Sequence, residues 1–165
     1  MTPVGTNVAL FLSTFVNKID RKGRVSVPAP FRAALAGQSF HGLVAFRSYK
    51  LPAVEAFGFD RMEQISRSVD GLDLFSDRQD DLTATIFADA RQLAFDGEGR
   101  IMLPEDLLAH AGIAERAAFV GRGPTFQIWE PEAFAAHQET ARARVIADGA
   151  TLHLSPPAGG GGSAP

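Results

Sequence analysis

The sequence predicts an α+β fold made of two copies of one small β unit, packed as a pseudo-twofold pair with helices around the outside. Three observations carry this. A stretch of fifteen residues, Ile19–Ala33, returns 76 residues later as Phe95–Ala109. Identities fall at Asp20/Asp96, Gly23/Gly99, Arg24/Arg100, Pro28/Pro104 and Ala33/Ala109, and Ile19/Phe95, Val25/Ile101, Val27/Leu103 and Phe31/Leu107 are apolar in both copies. Each copy is then followed by two more short β-type runs and a longer stretch with helical apolar spacing. Finally, a unit of about 45 residues with four short strands cannot bury much of its surface alone. The second copy supplies the missing hydrophobic face.

Each element has a local cause. An extended stretch arrives first (Phe15–Ile19; Arg91–Phe95). Asp-x-x-Gly-Arg turns it, with Gly23 or Gly99 supplying the positive φ of a tight turn. A second strand leaves (Arg24–Val27; Arg100–Leu103). Pro28 or Pro104 opens a short helix, where its missing N–H costs nothing. Gly37 and Gly112 are placed to cap those helices at their C-termini. A further strand pair follows in each copy: Leu43–Phe46 with Val54–Phe57, and Ala117–Val120 with Phe126–Trp129. Asp60-Arg-Met-Glu63 reads as an N-terminal capping box, and Phe59, Met62, Ile65 and Val69 trace an apolar stripe. Ser76-Asp-Arg-Gln79 repeats that logic before Leu82, Ile86 and Phe87. A last helix opens at Pro131 and sets Phe134, Gln138, Ala141 and Val145 along one face.

Composition narrows the function classes. Of 165 residues, 45% are apolar and 21% charged, which is the balance of a globular chain. Thirteen Phe against one Trp and one Tyr predict a phenylalanine core. The sequence has no cysteine, so disulfides, thiolate zinc sites, iron–sulfur clusters and cysteine nucleophiles are all excluded. Met1–Asn7 carries no Lys or Arg, and the apolar run Val8–Leu12 is short, so no secretory signal is read there. Nothing approaches the roughly 18 apolar residues of a membrane span. A cytoplasmic protein is expected. Four consecutive glycines within Ser155–Pro165 predict a disordered tail.

At this point the residues resemble a family. Phe11-Leu-Ser-Thr-Phe followed by Asp20-Arg-Lys-Gly-Arg24-Val-Ser-Val-Pro28 is similar to MraZ, a family of bacterial transcriptional regulators. Phe46-Arg-Ser, Asp60-Arg-Met-Glu63, Leu74-Phe-Ser-Asp77, Ala94-Phe-Asp-Gly-Glu-Gly-Arg100 and Phe126-Gln-Ile-Trp-Glu130 support the likeness, which covers roughly Leu10–Thr151. The resemblance implies two tandem AbrB-like (SpoVT–AbrB) swapped-hairpin motifs forming a small barrel. It implies DNA binding at the protein's own promoter, ahead of the division and cell-wall gene cluster, with repression as the common outcome. It also implies ring-shaped homo-oligomers and a place at the nucleoid. The expected division is an N-terminal extension (1–10), motif 1 (14–61), connecting helices (62–89), motif 2 (90–133), a C-terminal helix (134–150) and the tail (155–165).

Charge points to the same place. Net charge is −3, so no global grip on nucleic acid exists. Yet Asn17–Arg32 holds Lys18, Arg21, Lys22, Arg24 and Arg32 against Asp20, a local +4. The matching window Leu93–Leu108 holds Arg100 against Asp96, Glu98, Glu105 and Asp106, a local −3. Phosphate contacts need local Lys and Arg rather than a basic protein. Arg21, Lys22 and Lys18 are expected phosphate contacts. Arg24 and Arg100 have two readings from residues alone: base contacts in a major groove that admits a β-ribbon, or partners that pin the turns through Asp20 and Asp96. The family motif implies the DNA role for both arginines, with Asp20 and Asp96 orienting them.

Catalytic, metal and cofactor sites find no support. His41, His110, His137 and His153 are scattered, Asp77, Asp80 and Asp81 sit where a helix start favours acids, and Gly121-Arg-Gly123 lacks the rest of a nucleotide-binding motif. Two function classes remain: a DNA-binding regulator, and an AbrB-like interaction module such as an antitoxin. The basic first turn favours the regulator.

Overall fold

The computed structural model describes residues 10–156. The expected extension and glycine tail therefore lie outside the described residues, apart from their inner ends. In chain order the elements are β1 (Thr14–Lys18), β2 (Arg24–Ser26), α1 (Ala29–Leu35), β3 (Gly42–Arg47), β4 (Val54–Phe57), α2 (Phe59–Asp70) and α3 (Asp77–Leu82). A single π-helical turn (Thr83–Phe87) follows. The second copy runs β5 (Arg91–Ala94), β6 (Arg100–Met102), α4 (Glu105–Ala111), β7 (Arg116–Gly121) and β8 (Phe126–Trp129), and α5 (Pro131–Asp148) comes last. The chain divides into two compact units after Phe134. The first holds every strand; the second begins within α5. No described helix is long and apolar enough to cross a membrane.

Every strand pair is antiparallel, and the copies are interleaved. Only β3·β4 and β7·β8 pair within a copy. β1 pairs with β7, β5 with β3, β2 with β6 and β4 with β8. Single backbone bonds show the same reciprocity. Ile19 N–H donates to Glu115 O and Phe95 N–H to His41 O, while Val27 N–H donates to Gly99 O and Leu103 N–H to Gly23 O. The result is a six-stranded sheet, β1-β7-β8-β4-β3-β5, and a separate ribbon, β2-β6. These strands do not close into the expected barrel. After its tight turn, β2 forms no ladder with the strand it came from, only the single Ile19↔Val25 bridge just past the end of β1. Its ladder is spent on β6.

The main core is filled from both copies. Val25, Phe31, Leu43 and Ala45 meet Ile101, Leu107, Phe119 and Phe126 there. Four phenylalanines form its centre: Phe11 and Phe126 lie 4.8 Å apart, and Phe31 lies 5.2 Å from Phe11 and 4.9 Å from Phe126. Phe119 stands 6.2 Å from Phe126. The phenylalanine-rich composition thus ends up as an edge-and-face cluster, which adds to area burial. On the opposite sheet face Val44, Phe46 and Phe57 are covered by Met62 and Ile65 of α2 and by Ile86 and Phe87.

Local signals held in part. Ser76 Oγ accepts the Gln79 N–H at 3.2 Å, and Gln79 Oε1 accepts the N–H of Phe75. Gly112 caps α4 in the left-handed region. Gly37 is also left-handed but sits one residue beyond Ala36, the residue that caps α1. The box expected at Asp60 does not form. Helix α2 is capped two residues earlier, at Gly58, and the Asp60 N–H donates to Gln38 Oε1 instead. In α5, Phe134 packs on Trp129, but Val145 is exposed and no residue of the helix is buried.

Candidate nucleic-acid interface

The two turns are built alike. In the first, Asp20 Oδ1 accepts the N–H groups of Lys22 and Arg24, both at 2.9 Å. Asp20 Oδ2 accepts from Arg24 Nε at 2.7 Å. Gly23 follows at φ +87°, and its N–H closes the turn onto Asp20 O. In the second, Asp96 Oδ1 accepts from Glu98 and Arg100 N–H, and Oδ2 from Arg100 Nε at 2.9 Å. Gly99 stands at φ +74°. One carboxylate therefore folds each turn and fixes its arginine. Backbone donation from Arg24 is the foremost cause holding the Asp20 carboxyl below its usual range, and backbone donation from Arg100 does the same for Asp96. The bond to Asp96 raises the Arg100 pKa in turn.

The structure brings both arginines onto one ribbon. The β2-β6 register sets Val25 against Ile101, with Arg24 opposite Met102 and Ser26 opposite Arg100. Val25 and Ile101 are each 1% exposed and root the ribbon in the core. Strand alternation then sends Arg24, Ser26, Arg100 and Met102 to the other face. Two residues along a strand and one step across it separate the arginine Cα atoms by about 8 Å. Each aspartate occupies its arginine's Nε, so in Arg24 the four N–H donors of the two terminal nitrogens are left for other work, while in Arg100 the Nη2 also lies 3.6 Å from Glu98. Asn17 Nδ2 ties β1 to this ribbon through Ser26 O at 2.7 Å.

Charge is distributed differently in space than in sequence. Lys18, Arg21 and Lys22 are exposed, and among the described residues no salt bridge engages them. Arg32, counted with the first turn in sequence, packs over the second. A Cβ at Gly99 would lie 2.8 Å from Arg32 Cζ. Arg32 Nε is buried without a hydrogen-bond partner among the described residues. Asp106 is taken by Arg91, which holds its carboxyl down at about 2. The first turn thus carries four cations against Asp20, and the second carries Arg100 and Arg32 against Asp96, Glu98 and Glu105. The contrast narrows from +4 against −3 to +3 against −1. The turns also adjoin, since the Asp20 charge reaches Arg100.

Sequence reading missed three features of this surface. Ser26 and Met102 were findable, because strict alternation about Val25 and Ile101 exposes them; Met102 is 54% exposed. The Arg32–Gly99 contact was not, because it crosses between copies. Nor was the network in which Asp89 binds Arg47 at 2.7 Å and Arg91 joins it to Asp106. His41 stacks edge-on to Phe95, and His110 Nε2 lies 3.2 Å from Leu51 O. Among the described residues, no three His, Asp or Glu side chains gather as metal ligands would.

Comparison with known proteins bears on this geometry. The chain is 44% identical over 133 residues to a protein of Rickettsia akari (strain Hartford) named "Transcriptional regulator MraZ", covering 81% of this chain and 89% of that one. The chain belongs to the MraZ family. A Rickettsia rickettsii (strain Sheila Smith) protein of the same name is 46% identical over 125 residues, with 76% and 84% covered. One from Rickettsia bellii (strain OSU 85-389) is 45% identical over 126 residues, again covering 76% and 84%. The family model described as "MraZ protein, putative antitoxin-like" matches residues 86–154, the stretch that holds the second turn of this MraZ-family chain.

Proposed function

We propose that this chain is a sequence-specific DNA-binding transcriptional regulator that reads its site with the β2-β6 ribbon. The observation that carries the reading is the pair of identical Asp–Arg turns flanking one two-stranded ribbon. A ribbon of this width fits the major groove of B-DNA. Arg24 and Arg100, held at Nε by Asp20 and Asp96, keep the fork that matches guanine O6 and N7. Arg21, Lys22 and Lys18 supply phosphate contacts on the basic side. Gly23 and Gly99 let the turns close. The crossed strand pairing is read as two swapped hairpins related by a pseudo-twofold axis. The family relatives named as transcriptional regulators support the general function.

The finer reading follows the family. The protein represses its own promoter, and with it the division and cell-wall gene cluster, acting in the cytoplasm at the nucleoid as a ring of identical subunits. Neighbouring subunits of a ring present the same ribbon in the same orientation. The operator is then a set of short direct repeats about one helical turn apart, roughly 10 base pairs. Footprinting the DNA upstream of the gene tests this. Protected direct repeats at that spacing are expected. A single palindrome bound by one twofold dimer contradicts the ring.

A further inference from the structure

Two apolar features of the first unit are unaccounted for by DNA binding. One is a knob. Between α2 and α3, Leu74 is 67% exposed and Phe75 is 90% exposed. Phe75 stands at φ +62°, a conformation that bulky residues rarely adopt. It is held there: its N–H donates to Gln79 Oε1 at 3.1 Å, and the Ser76 N–H donates to Asp73 O. The chain thus fixes its most exposed phenylalanine in a strained backbone, pointing away from every core cluster. Burial of the ring needs a partner.

The other feature is a socket. An open cavity of about 470 Å³ has an apolar floor of Phe46, Phe57, Ile65 and Ile86. Lys50, Arg61 and Arg122 stand around it, with Glu55, whose carboxylate accepts from Gln127 Nε2 at 2.6 Å. Arg61 Nε is buried and has no hydrogen-bond partner among the described residues. The knob does not fill this chain's own socket, since Phe75 is almost fully exposed.

Charge selects the occupant. Residues 70–81 around the knob hold Asp70, Asp73, Asp77, Asp80 and Asp81 against Arg78 alone. The socket offers three cations against one engaged carboxylate. Among the described residues no salt bridge within the chain uses any of these knob acids or socket cations. An acidic-rimmed apolar knob and a basic-rimmed apolar socket on one chain are complementary. We infer that the Leu74–Phe75 knob of one copy seats in the Phe46–Phe57–Ile65–Ile86 socket of the next. Knob and socket are different patches, so the contact is head-to-tail. Such contacts propagate from copy to copy and close into a ring when the rotation allows. This rests on the self-association proposed above and names the surface that makes it.

The test uses two variants of the full chain whose substitutions lie outside the core. Phe75→Asp kills the knob. Lys50→Glu with Arg122→Glu reverses the socket rim. Native mass spectrometry and sedimentation should find the wild type in multi-subunit assemblies. Each variant alone should lose that assembly, with association weakened at least about tenfold, as for removal of a buried anchor. Mixed one to one, the variants still share one intact knob and one intact socket. They should form heterodimers that go no further. Circular dichroism matching wild type secures the fold. Phe75→Asp assembling as the wild type does overturns the inference. So does a mixture that gives no heterodimer. Failure here is separable from failure of the DNA reading: the Phe75→Asp protein should still bind a duplex carrying one repeat, weakly and in an Arg24-dependent way.

Discussion

Lys22 and Glu98 occupy the same position in the two turns and have opposite surroundings. Lys22 is exposed beside Arg21 and Arg24, and Glu98 reaches Arg100 Nη2 at 3.6 Å. Phosphate should therefore favour the first turn, whatever Arg100 adds to base reading. Lys22→Glu is expected to weaken binding to every DNA sequence and to flatten the salt slope by about one unit or more per engaged turn. Glu98→Lys is expected to leave specific binding intact and to raise non-specific affinity. One anisotropy series over several salt concentrations compares them, and equal weakening by both contradicts the asymmetry. Arg32 moderates the contrast by sitting over Gly99. At this scale the sequence showed Asp20, Arg24 and their repeat partners plainly, since each pair acts within five residues. Arg32 was misplaced because its neighbour is a residue of the other copy.

The turns and short helices behave as elements with separate weak points. Gly23 and Gly99 both have positive φ, a backbone that costs an L side chain about 1–3 kcal/mol. Their surroundings differ. A Cβ at Gly23 would lie 2.7 Å from the carbonyl oxygen of Leu103, which is backbone and fixed in the ribbon. A Cβ at Gly99 would meet the Arg32 side chain, which can move aside. Gly23→Ala should therefore lower the urea midpoint more than Gly99→Ala, and the reverse order contradicts the geometry. Helix α4 carries a pH signature through Asp106, whose carboxyl Arg91 holds at about 2. The ordinary aspartate value is about 3.9. The unfolded chain thus binds more protons between those values, so this contribution is present above about pH 4 and lost on acidification toward about pH 2. Asp106→Asn should flatten the thermal midpoint over that window relative to wild type; an unchanged slope removes the pair from the account. Strands and proline-led helices were legible because period and Pro28 or Pro104 act locally. The Asp60 box failed because Gln38, 22 residues away in sequence, takes the Asp60 N–H.

For the whole molecule, the duplication predicted the partner of each copy but not the manner of joining. Pattern gives the faces of a strand, and only the register shows that β1 and β5 cross to the other copy while β2 and β6 leave the sheet as a ribbon. That crossing is what brings Arg24 and Arg100 side by side, where sequence had set them 76 residues apart. The central claim is that this ribbon reads DNA through both arginines. The most direct measurement is an anisotropy titration of upstream promoter DNA with wild type, Arg24→Ala, Arg100→Ala and the double variant, each checked by circular dichroism. A bidentate base contact accounts for about 1–3 kcal/mol of discrimination per site, and several subunits engaged together multiply the loss. Arg24→Ala should nearly abolish specific binding in a folded protein, with the double variant left only salt-sensitive, non-specific affinity. A folded double variant that binds the promoter as tightly as wild type contradicts the claim.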